Sequence, residues 1–166
     1  MRKFFLLSII FIATLALNSC WSVNNNLDDQ SVNNYKPIII ERSVFENSVK
    51  TLPTQTIIKS GKIYIKDNLM FINDVNKGFH VYNYSNTSNP VNIGFIQILG
   101  ATDLAIKDNI IYINQAVDLV TLEYNSSNNS IIKKFRNKNA FPSKTAPNGM
   151  TANTNENQII VDWILK

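Results

Sequence analysis

A short turn motif occurs twice in this chain, and its repetition constrains the fold more than any other feature of the sequence. Asp67-Asn68 lies between two runs of β-branched, aromatic and other apolar residues, at positions 63–65 and 69–72. Asp108-Asn109 lies in the same setting 41 residues later. Asp and Asn tolerate the positive φ that tight hairpin turns require. The sequence therefore predicts two β-hairpins, one in each copy of a repeated unit.

Each predicted hairpin is followed by two further strand-like runs. Residues 78–84 and 91–98 follow the first hairpin, and residues 119–124 and 131–135 follow the second. Their apolar residues run almost continuously rather than alternating, a pattern typical of strands that are covered on both faces. Each unit thus holds four short strands in about 41 residues, which is the size of a β-propeller blade. The strand aromatics are interpreted as packing between blades.

The third strand of the first unit carries a recognisable motif. It reads Gly-Phe-His-Val-Tyr-Asn-Tyr from Gly78 to Tyr84, and Ser85-Asn86 and Asn89-Pro90 follow. This stretch resembles the LVIVD-type β-propeller repeat, although Asn83 stands where that family usually has Asp. The wider match, from Arg42 through Asp118, resembles lipoproteins of the Bacteroidetes group that carry these repeats. The resemblance implies a fold but no particular activity, since propellers host many unrelated functions.

The predicted fold is therefore all-β, with antiparallel four-stranded, blade-like repeats that form a partial β-propeller after a helical signal segment. Residues 52–98 are the first blade, residues 99–135 the second, and residues 136–166 a partial third blade. In that fragment we expect a strand at 158–165, fed by residues 149–152. Closed propellers contain 4–8 blades. The chain is thus expected to be a truncated copy, an open stack, or a ring closed by self-association through its open blade edges.

Residues 1–20 have the pattern of a bacterial targeting segment. Arg2 and Lys3 precede 14 mainly apolar residues at 4–17, a stretch too short for a transmembrane helix. The following Leu-Asn-Ser-Cys resembles the signal at which bacterial lipoproteins are cleaved and lipidated. Residues 1–19 are thus predicted to be a lipoprotein signal peptide and Cys20 the lipidation site; an ordinary secretion signal is the alternative. Cys20 is the chain's only cysteine, so no intrachain disulfide can form.

Residues 20–51 are predicted to be a flexible tether, because residues 22–34 are polar and show no apolar period. Within it, residues 38–40 suggest a short extended piece and residues 42–45 one helical turn. Without the signal, 14 basic residues face 12 acidic ones, a balance that gives no reason to expect a nucleic-acid partner. We expect an outer-membrane-anchored protein of the bacterial envelope, with the membrane and either a protein or a glycan as partners.

The sequence predicts no catalytic, cofactor or metal site. His80, the only histidine, has no nucleophile motif near it and is interpreted as a strand residue that faces a turn or solvent. Asp74 to Gly78 begins like a calcium loop, but the position of the later Glu ligand is Ser85, so this segment is interpreted as a turn. Four other acids show no paired spacing: Asp103, Asp108, Asp118 and Glu123.

A non-enzymatic scaffold is therefore the expected function, with blade edges and loops presented to a protein or a glycan. The alternative is a fragment of a longer propeller enzyme whose active residues lie in blades outside this sequence.

Overall fold

Two antiparallel sheets lie face to face in the computed structural model, which describes residues 34–128 and 130–166. The first blade pairs its four strands in the chain order β3 to β6, and a short strand, β2, extends it to five. The second blade contains β7 to β10. The strands are β1 (Tyr35–Glu41), β2 (Lys50–Leu52), β3 (Ser60–Lys66), β4 (Leu69–Asp74), β5 (Gly78–Asn83), β6 (Val91–Gln97), β7 (Ala101–Lys107), β8 (Ile110–Gln115), β9 (Asp118–Asn125), β10 (Ser130–Asn137) and β11 (Gln158–Leu165). The all-β prediction is confirmed, and the sheets do not close into a ring.

The repeated turn motif forms the two predicted hairpins. Lys66 pairs with Leu69, and Lys107 pairs with Ile110. Asp67 and Asp108 have φ values of 52° and 54°, so each aspartate adopts the left-handed backbone that its short polar side chain makes tolerable.

Gly78 is required at the start of β5. Its φ is 148°, and a Cβ atom on it would lie 2.0 Å from the carbonyl oxygen of Ile96. A side chain at this position would force the strand away from β6. The glycine of the motif is therefore explained by close backbone approach inside the first blade.

The main hydrophobic core lies between the two blades. The first blade contributes Phe71, Phe79 and Val81, each at most 2% exposed. Edge-to-face aromatic contacts span this core, with ring centroids of Phe71 and Tyr124 6.1 Å apart. The second blade contributes five aliphatic residues from its strands: Leu104, Ile111, Ile113, Val120 and Leu122. The interpretation of strand aromatics as inter-blade packing thus holds for Phe71, Phe79 and Tyr124.

A third, two-stranded sheet joins the two ends of the described chain. β1 pairs antiparallel with β11, so that Tyr35 lies opposite Leu165 and Glu41 opposite Gln158. The predicted strand at 158–165 is therefore present, but residues 149–152 form no strand beside it. The partial third blade expected at 136–166 thus provides one strand of a separate two-stranded sheet, and β11 takes its partner from the other end of the described chain.

The predicted tether is also corrected. Residues 35–52 belong to the folded unit, as β1, a helix α1 (Arg42–Glu46) and β2. The extended piece and the helical turn expected within this segment are both present. Phe45 of α1 is fully buried, with Val117, Ile159 and neighbouring residues around it, and this anchor fixes the segment to the blades. The predictions for residues 1–19 and for Cys20 lie outside the described residues.

Residues 53–59 carry the chain across the first blade, from β2 at one edge to β3 at the other. Five strands span about 19 Å, and the eight steps from Leu52 to Ser60 reach at most about 29 Å, so this crossing segment is long enough to span the sheet. The backbone N–H groups of Ile58 and Lys59 donate to the Asp74 carboxylate at 2.9 and 3.0 Å. In the described part of the chain, no helix is long and apolar enough to span a membrane.

Candidate functional site

The loops at one end of the two blades are joined by backbone hydrogen bonds. The Asn76 N–H donates to the Ala101 carbonyl, and the Gly100 N–H donates to the Asn76 carbonyl, both at 2.9 Å. Ala116 N–H donates to the Gly100 carbonyl at 3.0 Å. Three turns that are distant in sequence are thereby held together. Val161 of β11 packs against the same place, since a Cβ on Gly100 would lie 3.4 Å from its side chain.

A cavity of about 510 Å³ opens at this place, and we call it the junction pocket. Its volume falls in the range of small-molecule sites. The blades contribute three polar side chains to its lining, and further lining residues come from the 141–147 loop and from β11. The residues used below are Asn76, Asn114, Phe141, Lys144, Asp162 and Trp163.

Lys144 is the chemically distinctive residue of the junction pocket. Its ammonium donates to the Asn76 side-chain oxygen and, at 3.2 Å, to the Val161 carbonyl. Burial lowers the pKa of Lys144 to about 8, although the nearby Asp162 carboxylate acts in the opposite direction. An ammonium has three donor hydrogens. Lys144 therefore keeps one N–H beyond these two bonds, at a position where water competes weakly.

Asn76, Asp162 and Trp163 hold Lys144 in place. The Asn76 amide donates to the Asp162 carboxylate, which also accepts the Trp163 backbone N–H at 2.8 Å. The Trp163 indole N–H donates to the Lys144 carbonyl at 3.1 Å. These bonds join the side chains of the pocket wall before any ligand arrives, and such preorganisation reduces the entropy lost on binding.

Asn114 supplies an acceptor. Its side-chain oxygen is buried and finds no hydrogen-bond partner among residues 34–128 and 130–166. Leaving a buried polar atom unsatisfied costs about 1–3 kcal/mol. Asn114 also lines the junction pocket, so a ligand group with an N–H or O–H that reached this oxygen would remove that cost.

A second polar cluster is structural. Asp118 is fully buried and accepts from Arg42 and Arg136, each at 2.7 Å, and from the Asn139 N–H at 3.0 Å. Burial alone would raise the pKa of Asp118, but these donors outweigh it and hold the pKa below its ordinary value. Both guanidinium groups also lie over the Phe45 ring. Because both oxygens of the carboxylate are occupied, this cluster ties α1 to the second blade rather than offering a site.

His80 is fully buried, so the interpretation of this residue as facing a turn or solvent was wrong. Its Nε2 lies 3.2 Å from the Asp74 carboxylate, and its ring centroid lies 4.7 Å from that of Phe95. An ionised carboxylate only accepts, so Nε2 carries the proton. Burial would raise the pKa of Asp74, but its bonds from Ile58, Lys59 and His80 hold it below the ordinary value. The pair fastens the crossing segment to the first blade.

The other acids singled out from the sequence are not brought together. Asp103 bridges the blades, since Lys62 and the Tyr64 hydroxyl both donate to it. Burial, together with the hydrogen bond to Asp103, raises the pKa of Tyr64 to about 12. Asp108 lies in its hairpin turn, and Glu123 accepts from Asn109 at 3.3 Å. In the described ranges no group of three or more His, Cys, Asp or Glu side chains could hold a metal ion.

A larger groove of about 650 Å³ lies at the opposite end of the blades, between the two hairpin turns. Its aromatic lining residues, Phe71 and Tyr124, are 2% and 7% exposed and already serve the inter-blade core. They present little surface to a ligand, so the junction pocket is the better candidate.

The sequence did not point to Lys144, Asp162 or Trp163, because no motif marks them. Comparisons of the chain with models of known protein families, with curated proteins and with solved structures found no match.

Proposed function

We propose that this chain is a non-enzymatic lipoprotein of the bacterial envelope, held at the outer membrane through Cys20, whose junction pocket binds a glycan. The anchor is supported by the sequence of residues 1–20, with its basic start, short apolar stretch and Leu-Asn-Ser-Cys end. The glycan is supported by the chemistry of the pocket.

The observation that carries the glycan proposal is the unpaired side-chain oxygen of Asn114, a residue that lines the same cavity as Lys144. The residues that line the pocket thus include one unpaired acceptor, on Asn114, and one remaining charged donor, on Lys144. A sugar hydroxyl both donates and accepts, so adjacent hydroxyls satisfy the two groups together. The rings of Trp163 and Phe141 line the same cavity and supply apolar surface for the C–H faces of a sugar. Lys144 acts here as a fixed donor, without covalent chemistry.

The experiment compares the full chain with its Lys144→Met variant in calorimetric titrations with neutral oligosaccharides: an N-acetylglucosamine trimer, maltotriose and cellotriose. We expect one of them to bind and Lys144→Met to weaken binding about tenfold or more, since a charge-assisted hydrogen bond contributes about 1.5–3 kcal/mol. The matched control is Lys36→Met, on an exposed lysine outside the pocket, which should bind like the parent. Absence of binding to all three sugars, or equal binding by Lys144→Met, would contradict the proposal.

The anchor has its own test. Cells expressing the chain are fed a labelled fatty acid, and we expect the label on the parent protein and none on Cys20→Ala. Ser22→Ala serves as the control and should keep the label. Equal labelling of Cys20→Ala would refute lipidation at this residue.

A further inference from the structure

The two blades are related by the 41-residue offset, but equivalent residues face different neighbours. Phe71 in β4 faces the second blade and is 2% exposed, whereas its equivalent in β8, Tyr112, is 36% exposed. Side chains alternate along a strand, and Ile111 and Ile113 on either side of Tyr112 point into the inter-blade core. Tyr112 therefore points to the far side of the second blade. The face that is covered in the first blade is uncovered in the second.

This uncovered face of the second blade carries large apolar side chains. Phe135 and Ile132 of β10 are 62% and 50% exposed. Their strand partners, Thr121 and Glu123, alternate with the core residue Leu122 and so also lie on the far side. β1 and β11 do not cover it, since they pack against Ala116 and Val117, at the end of the blades where the junction pocket lies. We call this face, marked by Tyr112, Ile132 and Phe135, the acceptor face.

The far side of the first blade has the complementary character. Ile63 and Ile65 are 59% and 56% exposed there. Their equivalents 41 residues later are Leu104 and Ile106, which pack into the core on the side that meets the first blade. In this chain, then, the face that holds Leu104 and Ile106 packs on the face that holds Phe71. The face marked by Ile63 and Ile65 is the first blade's equivalent of the Leu104–Ile106 face, and it is uncovered. The acceptor face is the second blade's equivalent of the Phe71 face, and it is also uncovered.

We propose that the acceptor face binds the Ile63–Ile65 face of a second copy of this chain, in the same arrangement as the first and second blades within one copy. The contact uses two different surfaces, so it is head-to-tail and can repeat until a ring closes. Two to four copies would bring the number of blades to the 4–8 found in closed propellers. This inference is independent of the glycan site, since the junction pocket lies at the loop end and shares none of these five residues.

The contacts between the two blades inside one copy define the test, which uses two differently tagged full-length chains that carry Cys20→Ser. One chain bears Tyr112→Cys and the other bears Ile63→Cys. On mixing under mild oxidation, we expect a disulfide-linked pair that contains both tags. Asn153→Cys, at an exposed loop position, replaces Tyr112→Cys in the control mixture and should yield far less product. Preferential linkage of Tyr112→Cys to itself, or a yield no higher than the control, would overturn the proposal.

A second measurement does not depend on cysteine chemistry. The mass of the Cys20→Ser chain is followed by light scattering as its concentration rises, and we expect a shift from one copy to a multiple. Phe135→Lys should abolish that shift, because it replaces the most exposed apolar side chain of the acceptor face with a charge. Val44→Lys, on a similarly exposed residue of α1, should leave it intact. A monomer at every concentration, or equal association of both variants, would count against self-association.

Discussion

Asp118 and Lys144 are both charged and largely buried, but their surroundings differ. The Asp118 carboxylate accepts from two arginines and a backbone N–H, so both oxygens are occupied. Lys144 has two neutral acceptors and lies on a cavity wall. Burial lowers the pKa of Lys144 because it disfavours the charged form, and this effect outweighs the opposing Asp162 carboxylate. The first residue therefore stabilises the fold, whereas the second is exposed to a ligand at a cost to stability.

That cost predicts a specific pH dependence. The pKa of Lys144 is about 8 in the folded chain and near the ordinary value of 10.5 when unfolded. Between these values the unfolded chain binds more protons, so stability rises with pH across this window. We expect the free energy of unfolding to increase from pH 8 to pH 10.5, relative to Lys144→Met, by up to about 3 kcal/mol. Urea unfolding of both proteins at several pH values measures it.

Lys36→Met is the control for this experiment, and it should follow the parent at every pH. Tyr64, whose pKa is raised to about 12, lowers stability at higher pH in parent and variant alike, so it cancels in the difference. A constant difference between parent and Lys144→Met from pH 7 to pH 11 would show that Lys144 titrates normally.

Individual residues were predictable where local chemistry decides their conformation. The positive φ of Asp67 and Asp108 follows from the hairpin that each residue closes. The burial of His80 does not follow from its neighbours in β5, since it depends on the crossing segment that lies over the same end of the blade. Lys144 was missed for the same reason, because its partners Asn76 and Val161 come from other parts of the chain.

At the scale of elements, strands that pair with their sequence neighbours were predictable and distant pairings were not. β3 to β6 and β7 to β10 are joined by short turns, and the apolar runs and turn residues mark each of them. The isoleucines of β1 and β11 also suggest extended structure. Nothing in either segment indicates that it pairs with the other across more than 100 residues, so residues 35–41 were assigned to a tether and the partner of β11 was missed.

At the scale of the molecule, the sheet of β1 and β11 closes the described chain on itself. Ile159 of β11 is 5% exposed and packs in the same cluster as Phe45 and Val117, which belong to α1 and to the second blade. The sheet thus links both ends of the described chain to the end of the blades that carries Val117. Because a two-stranded sheet is marginally stable on its own, its stability depends on the blades, and we infer that it unfolds together with them.

This coupling predicts the effect of two matched substitutions in one strand. Ile159→Ala should lower the free energy of unfolding by about 2–5 kcal/mol, the usual loss for a buried isoleucine. Ile164→Ala, at a position that is 45% exposed, should cost less than about 1 kcal/mol. Urea unfolding is followed by far-ultraviolet circular dichroism and by Trp163 fluorescence in a Trp21→Phe background. We expect coincident transitions that shift together in Ile159→Ala, since the two signals report the blades and β11. An early fluorescence transition that precedes loss of the β-sheet signal would show instead that the terminal sheet unfolds on its own.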